Sequence, residues 1–143
     1  MIYTQEAFSE WITENPEKLN RVTGEFAKKN NLKLDYSIAS LDALEQWILK
    51  NYEMATDLKE EEDVLDMLAL YVGETYIKHI GGEWYHESEN DKSMFFQQIV
   101  MKYEEDGETA YRSARALCTS CISRHRGTLI SSTLKKSIAK IEQ

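Results

Sequence analysis

The sequence has little proline, glycine or histidine, and it has no long apolar run. One proline and six glycines among 143 residues favour long regular elements over a turn-rich all-β fold. No apolar stretch approaches the ~20 residues that a membrane-spanning helix needs. The amino-terminal residues include neither the basic nor the apolar segment of a secretory signal. We therefore expect a cytoplasmic protein in which Cys118 and Cys121 are reduced.

Signatures of known chemistry are also missing. The sequence contains no GxGxxG or GxxxxGK[ST] phosphate-binding loop, no GxSxG elbow and no HExxH zinc motif. Its carboxylates include no pair whose spacing indicates acid–base catalysis. We predict no catalytic residue, no cofactor and no metal, and we favour a protein that is not an enzyme.

Length and composition indicate one folded domain. A chain of 143 residues can bury roughly two thirds of its unfolded surface. Because 42% of the residues are hydrophobic and 29% are charged, wholesale disorder is excluded. We predict a single globular domain over residues 1–143.

The net charge of −8 is distributed unevenly. Residues 1–108 contain 10 lysines and arginines against 24 carboxylates, whereas residues 109–143 contain 7 against 1. Either the two parts pair and neutralise each other, which we favour, or one of them binds a partner of opposite charge.

Four helices are predicted before residue 81. Thr4 can cap the first, and Asn15 followed by Pro16 predicts the start of the second. An extended or irregular segment then leads into the third helix. Its cap is Ser37 or Ser40, a choice that the sequence leaves open.

The fourth helix is predicted to run from Asp57 to Ile80. Asp57 and Glu60 resemble a capping box, and Gly81 stands where a helix C-cap belongs. An interior glycine, Gly73, costs about 1 kcal/mol relative to alanine. We therefore predict that another element packs closely on it.

The pair Gly81-Gly82 predicts which element packs on Gly73. The pair lets the chain reverse, so Trp84 is the expected neighbour of Gly73. Glu74 lies beside Gly73, and we predict that its carboxylate bonds backbone donors near residues 35–37 or at the helix-to-strand turn.

A β-hairpin is predicted after this turn, from residues 83–88 and 93–102. Residues 104–108 form a loop, and residues 109–141 are interpreted as two short helices broken at Gly127. The predicted fold is α+β and predominantly helical, with four amino-terminal helices, a β-hairpin and two short carboxy-terminal helices.

Cys118 and Cys121 form a CxxC pair, and His125 follows four residues later. On a helix these positions share a face. A structural zinc needs four ligands, however, and no fourth is evident. We interpret the two cysteines as small apolar side chains of a helix core.

Basic residues are concentrated near the carboxyl terminus, with Tyr111 as the only aromatic residue nearby. Nucleic-acid binding would require them to share one solvent-exposed face, and the acidic chain as a whole argues against it. We favour solvated surface and intramolecular pairing. The basic residues are Arg112, Arg115, Arg124, His125, Arg126, Lys135, Lys136 and Lys140.

Two segments, LDYSIASLDALEQWI and LDMLALYVGETYIKHIGGEW, resemble a loosely defined group of small bacterial proteins. Their shared pattern is DYSxxSL followed by YxGExxxxxxGGxW. The group is similar to immunity-type and accessory proteins that accompany bacterial toxins. This chain lacks the proline-containing segment expected after the tryptophan strand. The resemblance implies a fold marker at Asp35, Tyr36, Ser37, Ser40, Leu41, Tyr71, Gly73, Glu74, Gly81, Gly82 and Trp84.

Our leading hypothesis is a non-enzymatic interaction protein, an immunity-type protein that masks a basic toxin through an acidic face. One alternative is a small-molecule-binding or enzymatic domain with a pocket near Glu74, Tyr76, Trp84 and His86. A second is nucleic-acid binding by the basic carboxy-terminal helices. The oligomeric state and the partner's identity stay open. The residues predicted to bind the toxin are Asp57, Glu60, Glu61, Asp63, Asp66, Glu87, Glu89 and Asp91.

Overall fold

A computed structural model describes residues 2–142 as an α+β, predominantly helical fold, which confirms that part of the prediction. Three strands form one antiparallel sheet in the order β1-β2-β3. In chain order the elements are α1 (Gln5–Arg21), a π-helical turn (Val22–Phe26), α2 (Ala27–Lys29), α3 (Ile38–Asn51), α4 (Ala55–Lys59), α5 (Glu62–Ile80), β1 (Glu83–His86), β2 (Ile99–Glu105), β3 (Glu108–Arg112), α6 (Ala114–Arg124) and α7 (Leu129–Ile141).

The predicted break between the first two helices, at Asn15 and Pro16, is wrong. The helix α1 runs through Pro16, and Asn15 is buried instead of capping a new helix. Proline removes one backbone donor, and the exposed Pro16 ring has room to protrude into solvent. Trp11 before it and Val22 after it are both buried. Packing of this face on the core therefore outweighs the local cost of the proline.

Side-chain hydroxyls cap the first helix and the third. Thr4 Oγ1 accepts a hydrogen bond from the Ala7 N–H at 3.0 Å, as predicted for α1. At α3, Ser37 Oγ accepts from the Ser40 N–H at 3.1 Å, so Ser37 is the cap. Ser40 has a different role, because its hydroxyl donates to the Ser37 carbonyl oxygen at 2.6 Å.

The predicted helix over residues 57–80 is two helices, α4 and α5. Asp57 does not begin the long one, because its carboxylate accepts from the Met54 N–H at 3.1 Å and caps α4. The break places Glu62 and Asp63 in the first turn of α5. Unpaired backbone N–H groups stabilise negative charge there, whereas a continuous helix would hold the acidic run in its interior.

The predicted hairpin is present, but its second strand begins at Ile99 instead of residue 93, and a third strand extends the sheet. Strand β1 pairs with β2, with Trp84 opposite Met101, but residues 93–98 form a succession of turns. A third strand, β3, begins at the last residue of the predicted loop and continues through residues 109–112, which were predicted as helix. The chain enters it through Asp106 and Gly107, whose φ angles are 56° and 79°. Asp-Gly is a strong hairpin signal, and the predicted elements leave it as a loop.

The two carboxy-terminal helices are present, and the chain breaks between them at Gly127, whose φ of 84° favours glycine. The helix α6 packs against α3, α4, α5 and α7, and the strand β2 contacts α5 and α7. The main core lies between these elements, with Leu44, Leu68 and Leu134 fully buried. Among the described residues, no helix has the length and apolar character needed to cross a membrane.

Candidate functional site

The residues of the shared pattern meet around α5. Tyr71 is fully buried, and its Oη accepts from the Tyr36 N–H at 2.9 Å and lies 2.6 Å from Ser40 Oγ. Because Ser40 Oγ donates to the Ser37 carbonyl, the Tyr71 hydroxyl donates to Ser40. Four groups thus form one directed chain of hydrogen bonds. This chain ties the start of α3 to the middle of α5.

Trp84 covers Gly73, which confirms the predicted contact. A Cβ at residue 73 would lie 2.0 Å from Trp84 Cη2, so only glycine leaves room for the indole. The indole also meets Trp11 edge-on, with ring centroids 4.8 Å apart. Gly81-Gly82 makes the reversal with φ angles of 78° and 101°. A Cβ on the second of these glycines would lie 2.4 Å from the Lys102 carbonyl oxygen.

Glu74 does not bond backbone donors, contrary to the prediction. Its Oε1 accepts from Trp84 Nε1 at 3.1 Å. The backbone of residues 35–37 is held by other side chains, Tyr71 and His79; His79 Nε2 lies 2.9 Å from the Tyr36 carbonyl oxygen. Glu74 therefore orients the indole over the glycine, and the shared pattern forms a structural clamp around α5.

The cavity beside Trp84 is too small for a ligand. Its volume is about 10 Å³, at the lower limit for one water molecule. Tyr76 is fully buried and donates its hydroxyl to a backbone carbonyl of α7 at 2.6 Å. His86 is buried against Phe8, with its Nε2 2.6 Å from a backbone carbonyl that precedes α1. The residues predicted to line a small-molecule pocket are used for packing.

One group of predicted partner-binding residues lies at the α4–α5 junction. Each of these side chains is exposed, and none forms an ion pair with another described residue. Glu53 shares both properties, and the neighbouring Met54 is 60% exposed. We call this surface the acidic turn; it comprises Glu53, Met54, Asp57, Glu60, Glu61 and Asp63.

Asp66 belongs to the interior instead. Its side chain is 19% exposed. One oxygen accepts from Trp11 Nε1 at 2.8 Å, and the other accepts from Lys18 Nζ at 3.2 Å. Arg115 Nη1 lies 3.7 Å from the same carboxylate. Asp66 therefore joins α1, α5 and α6.

Glu87, Glu89 and Asp91 lie on the loop between β1 and β2. The Glu87 carboxylate accepts from the N–H groups of Glu89 and Asn90 at 3.3 and 3.2 Å. These backbone hydrogen bonds, the one from Asn90 above all, lower the pKa of Glu87. Glu87 thus shapes the loop, while Glu89 and Asp91 point into solvent.

Pairing between the acidic and basic parts of the chain is limited among the described residues. Arg115 contacts Glu62 at 2.5 Å, and Lys140 contacts Glu105 at 3.5 Å. The other lysines and arginines after residue 108 form no ion pair within residues 2–142. Four of them, Arg112, Arg124, Arg126 and Lys136, line one cleft.

Cys118 and Cys121 are buried in α6, in agreement with their interpretation as core side chains. The Cys121 thiol donates to the Cys118 carbonyl at 3.0 Å. His125 is the exposed, left-handed residue that ends α6. No cluster of potential metal ligands occurs within residues 2–142.

We expect the two thiols to make the fold less stable at high pH. Burial raises the pKa of Cys118 and raises that of Cys121 to about 12, from an ordinary value of 9.0. The unfolded thiols lose their protons first, so stability that is complete below pH 9 falls as the pH rises towards 12. Urea unfolding at several pH values should show a steeper fall for the wild type than for Cys118→Ala/Cys121→Ala. Equal slopes would contradict this expectation.

Glu45 is a structural carboxylate that the sequence analysis misses. It is fully buried, and its two oxygens accept from the N–H groups of Leu129 and Ile130 at 3.1 and 2.9 Å. These groups open α7, which the side chain of Thr128 does not cap. The available signal is a glutamate on the apolar stripe of α3, next to the buried Leu44.

Two neighbours of Glu45 on α3 also hold the start of α7. Asp42 Oδ1 accepts from the Ser131 hydroxyl at 2.5 Å, and Gln46 Nε2 donates to the Gly127 carbonyl at 3.3 Å. One face of α3 therefore holds the start of α7 through three side chains. The position of α7 in turn places Lys136 at the cleft that Arg112, Arg124 and Arg126 also line.

Comparison with known proteins adds no family or fold relationship: no family description, curated protein or solved structure matches this chain. The functional argument therefore depends on the surfaces themselves.

Proposed function

We propose that this chain is a non-enzymatic binding protein of the immunity type, which masks a basic toxin in the bacterial cytoplasm with its acidic turn. The carrying observation is the set of exposed carboxylates at the α4–α5 junction that lack ion pairs with other described residues. Carboxylates outnumber Lys59, the one lysine within residues 53–63. An excess of unpaired negative charge attracts a basic partner, raises the association rate and disfavours acidic partners.

Met54 supports a protein partner over a small ion. Its side chain is 60% exposed, and it lies between Glu53 and Asp57 in the sequence. Interfaces between proteins commonly place an apolar or aromatic anchor inside a polar rim, and methionine is enriched in them. The acidic turn has this composition on a small scale.

The acidic turn is also held in a defined conformation. Asp57 caps α4, Glu61 accepts a hydrogen bond from the Tyr52 hydroxyl, and Leu58 is completely buried beneath the turn. A surface that is ordered before binding loses little conformational entropy in the complex. This favours a role in recognition.

We expect Glu60→Lys/Asp63→Lys to abolish capture of a basic partner protein. Both side chains are exposed and form no hydrogen bond or ion pair within residues 2–142. Because Asp63 lies in the first turn of α5, where negative charge is stabilising, circular dichroism checks that the variant is folded. The immobilised wild type and variant would be exposed to a lysate of the source cells, and bound proteins identified by mass spectrometry. The expected result is one basic protein on the wild type and a loss of about tenfold or more on the variant, since coupling energies of close charge pairs can reach about 1.5 kcal/mol and above.

Glu10→Lys/Glu25→Lys is the matched control, because it changes the net charge equally at exposed positions of α1 and the π-helical turn. It should retain the partner, and coexpression with the wild type should suppress the partner's toxicity. Retention by Glu60→Lys/Asp63→Lys, or recovery of general chaperones alone, would refute the proposal.

A further inference from the structure

A second surface carries the opposite charge. A cleft with a volume of about 420 Å³ lies between the end of β3, the helices α6 and α7, and the loop that precedes β2. Arg112, Arg124, Arg126 and Lys136 line it, and none of the described lining residues is Asp or Glu. Most of the lining comes from residues 109–143, the part of the chain that contains 7 basic residues against 1 acidic residue. We call this surface the basic cleft.

The cations of the basic cleft are free to bind an external anion. Arg124, Arg126 and Lys136 are exposed, and no ion pair within residues 2–142 uses any of them. Arg112 is positioned by a hydrogen bond from its Nε to Tyr103 Oη at 3.3 Å. Guanidinium groups bind carboxylates with two parallel hydrogen bonds, which gives such a site directional preference.

Apolar side chains complete the cleft. Leu117 and Leu129 belong to its lining, and Met94 at its edge is 81% exposed. Tyr111, which is 41% exposed, also lines it and packs against Tyr85. Exposed apolar surface bordered by charge is typical of a protein interaction site. A free inorganic anion would leave this part of the cleft unused.

We infer that the basic cleft binds an acidic peptide segment of a partner protein, with carboxylates on the arginines and an aliphatic side chain on the apolar lining. A nucleic acid fits less well for two reasons. The net charge of −8 repels a long polyanion more than a short segment with a few carboxylates. The lining also places two leucines and Met94 beside its two aromatic residues, Phe95 and Tyr111, whereas sites for single-stranded nucleic acids rely on stacked aromatic platforms.

The test uses fluorescein-labelled peptides of about nine residues and fluorescence anisotropy. One peptide has leucine at every third position and glutamate elsewhere; a second is all glutamate; an oligothymidine of the same length is the nucleic-acid probe. We expect the Glu/Leu peptide to bind the wild type most tightly. Arg126→Glu/Lys136→Glu should weaken it at least about tenfold, as loss of close charge pairs does, and Met94→Ser about threefold.

Two controls separate this inference from general charge effects and from the proposed function. Lys28→Glu/Lys29→Glu makes the same charge change at exposed positions of α2 and should leave the affinity within about twofold. Glu60→Lys/Asp63→Lys alters the acidic turn and should not weaken peptide binding. Circular dichroism checks that each variant is folded, and Arg126→Gln/Lys136→Gln replaces the charge reversal if it is not.

Several outcomes would overturn the inference. They are absence of peptide binding to the wild type, equal loss in the Lys28/Lys29 variant, and tighter binding of oligothymidine than of the Glu/Leu peptide. If the all-glutamate peptide bound as tightly as the Glu/Leu peptide, the inference that an aliphatic side chain binds the apolar lining would be wrong. A dimer in sedimentation that Arg126→Glu/Lys136→Glu dissociates would identify a second copy of this chain as the occupant instead.

Discussion

Gly73→Leu is expected to destabilise the fold by about 3 kcal/mol or more, although leucine is the better helix former. A single Cβ at residue 73 would already lie 2.0 Å from Trp84 Cη2. The indole cannot move aside freely, because Trp11 packs against it and Glu74 accepts a hydrogen bond from its Nε1. Leucine would therefore break a hydrogen bond and separate β1 from α5.

Gly24→Leu is the matched control for this substitution. Gly24 lies in the π-helical turn, and a Cβ there would meet nothing within 4 Å. The melting temperature of Gly24→Leu should be unchanged or higher, because replacing glycine reduces the conformational freedom of the unfolded chain. Gly73→Ala should be destabilising by roughly 1–3 kcal/mol. An unchanged or raised melting temperature for Gly73→Leu would show that the Trp84 contact does not constrain the fold.

Glu45→Leu is expected to cost roughly 2–5 kcal/mol, despite a side chain of similar size at a core position. The carboxylate satisfies two buried backbone donors at the start of α7, and each unpaired buried donor costs about 1–3 kcal/mol. Glu45→Gln keeps one good acceptor and should lose less. Urea unfolding of the wild type, Glu45→Gln and Glu45→Leu measures whether the free energy of unfolding decreases in that order.

Amide hydrogen exchange tests where the effect of Glu45 lies. The N–H groups of Leu129 and Ile130 should lose protection in Glu45→Leu before residues of α5 do, because α7 detaches from α3 first. Glu25→Leu, at an exposed position, serves as the control and should change stability by no more than about 0.5 kcal/mol. Loss of partner or peptide binding without loss of stability would show that Glu45 acts in recognition.

Helix and strand boundaries were predicted least well where long-range packing competes with local signals. Asn15-Pro16 is a good local start signal for a helix, but burial of Trp11 and Val22 keeps α1 continuous through it. The acidic residues after Lys59 were predicted to belong to the first turn of one long helix. In the structure they lie at the start of α5, after the separate short helix α4. The free energy of a local conformational preference is less than a few kcal/mol. Burial of one aromatic side chain can contribute more than this.

For the candidate surfaces too, composition predicts the distribution of charge along the chain, and packing decides which side chains are exposed. Composition alone reveals an excess of acidic residues in residues 1–108 and an excess of basic residues after them. It does not reveal that Asp66 is enclosed by Trp11 and Lys18, or that Glu87 shapes a loop. Burial and hydrogen bonding of a side chain depend on which elements pack together, and sequence spacing reports neither.

The sequence by itself determined the α+β class, the excess of helix, the reversal at Gly81-Gly82 and the contact of Trp84 with Gly73. Each follows from local conformational limits or from a short connection that leaves the chain few choices. Only the tertiary structure decided that Glu45 caps α7 and that the arginines of α6 and its following loop share a cleft with Lys136 of α7. These contacts join residues far apart in the chain, and they form because helices bury their apolar faces together and carry their polar side chains with them.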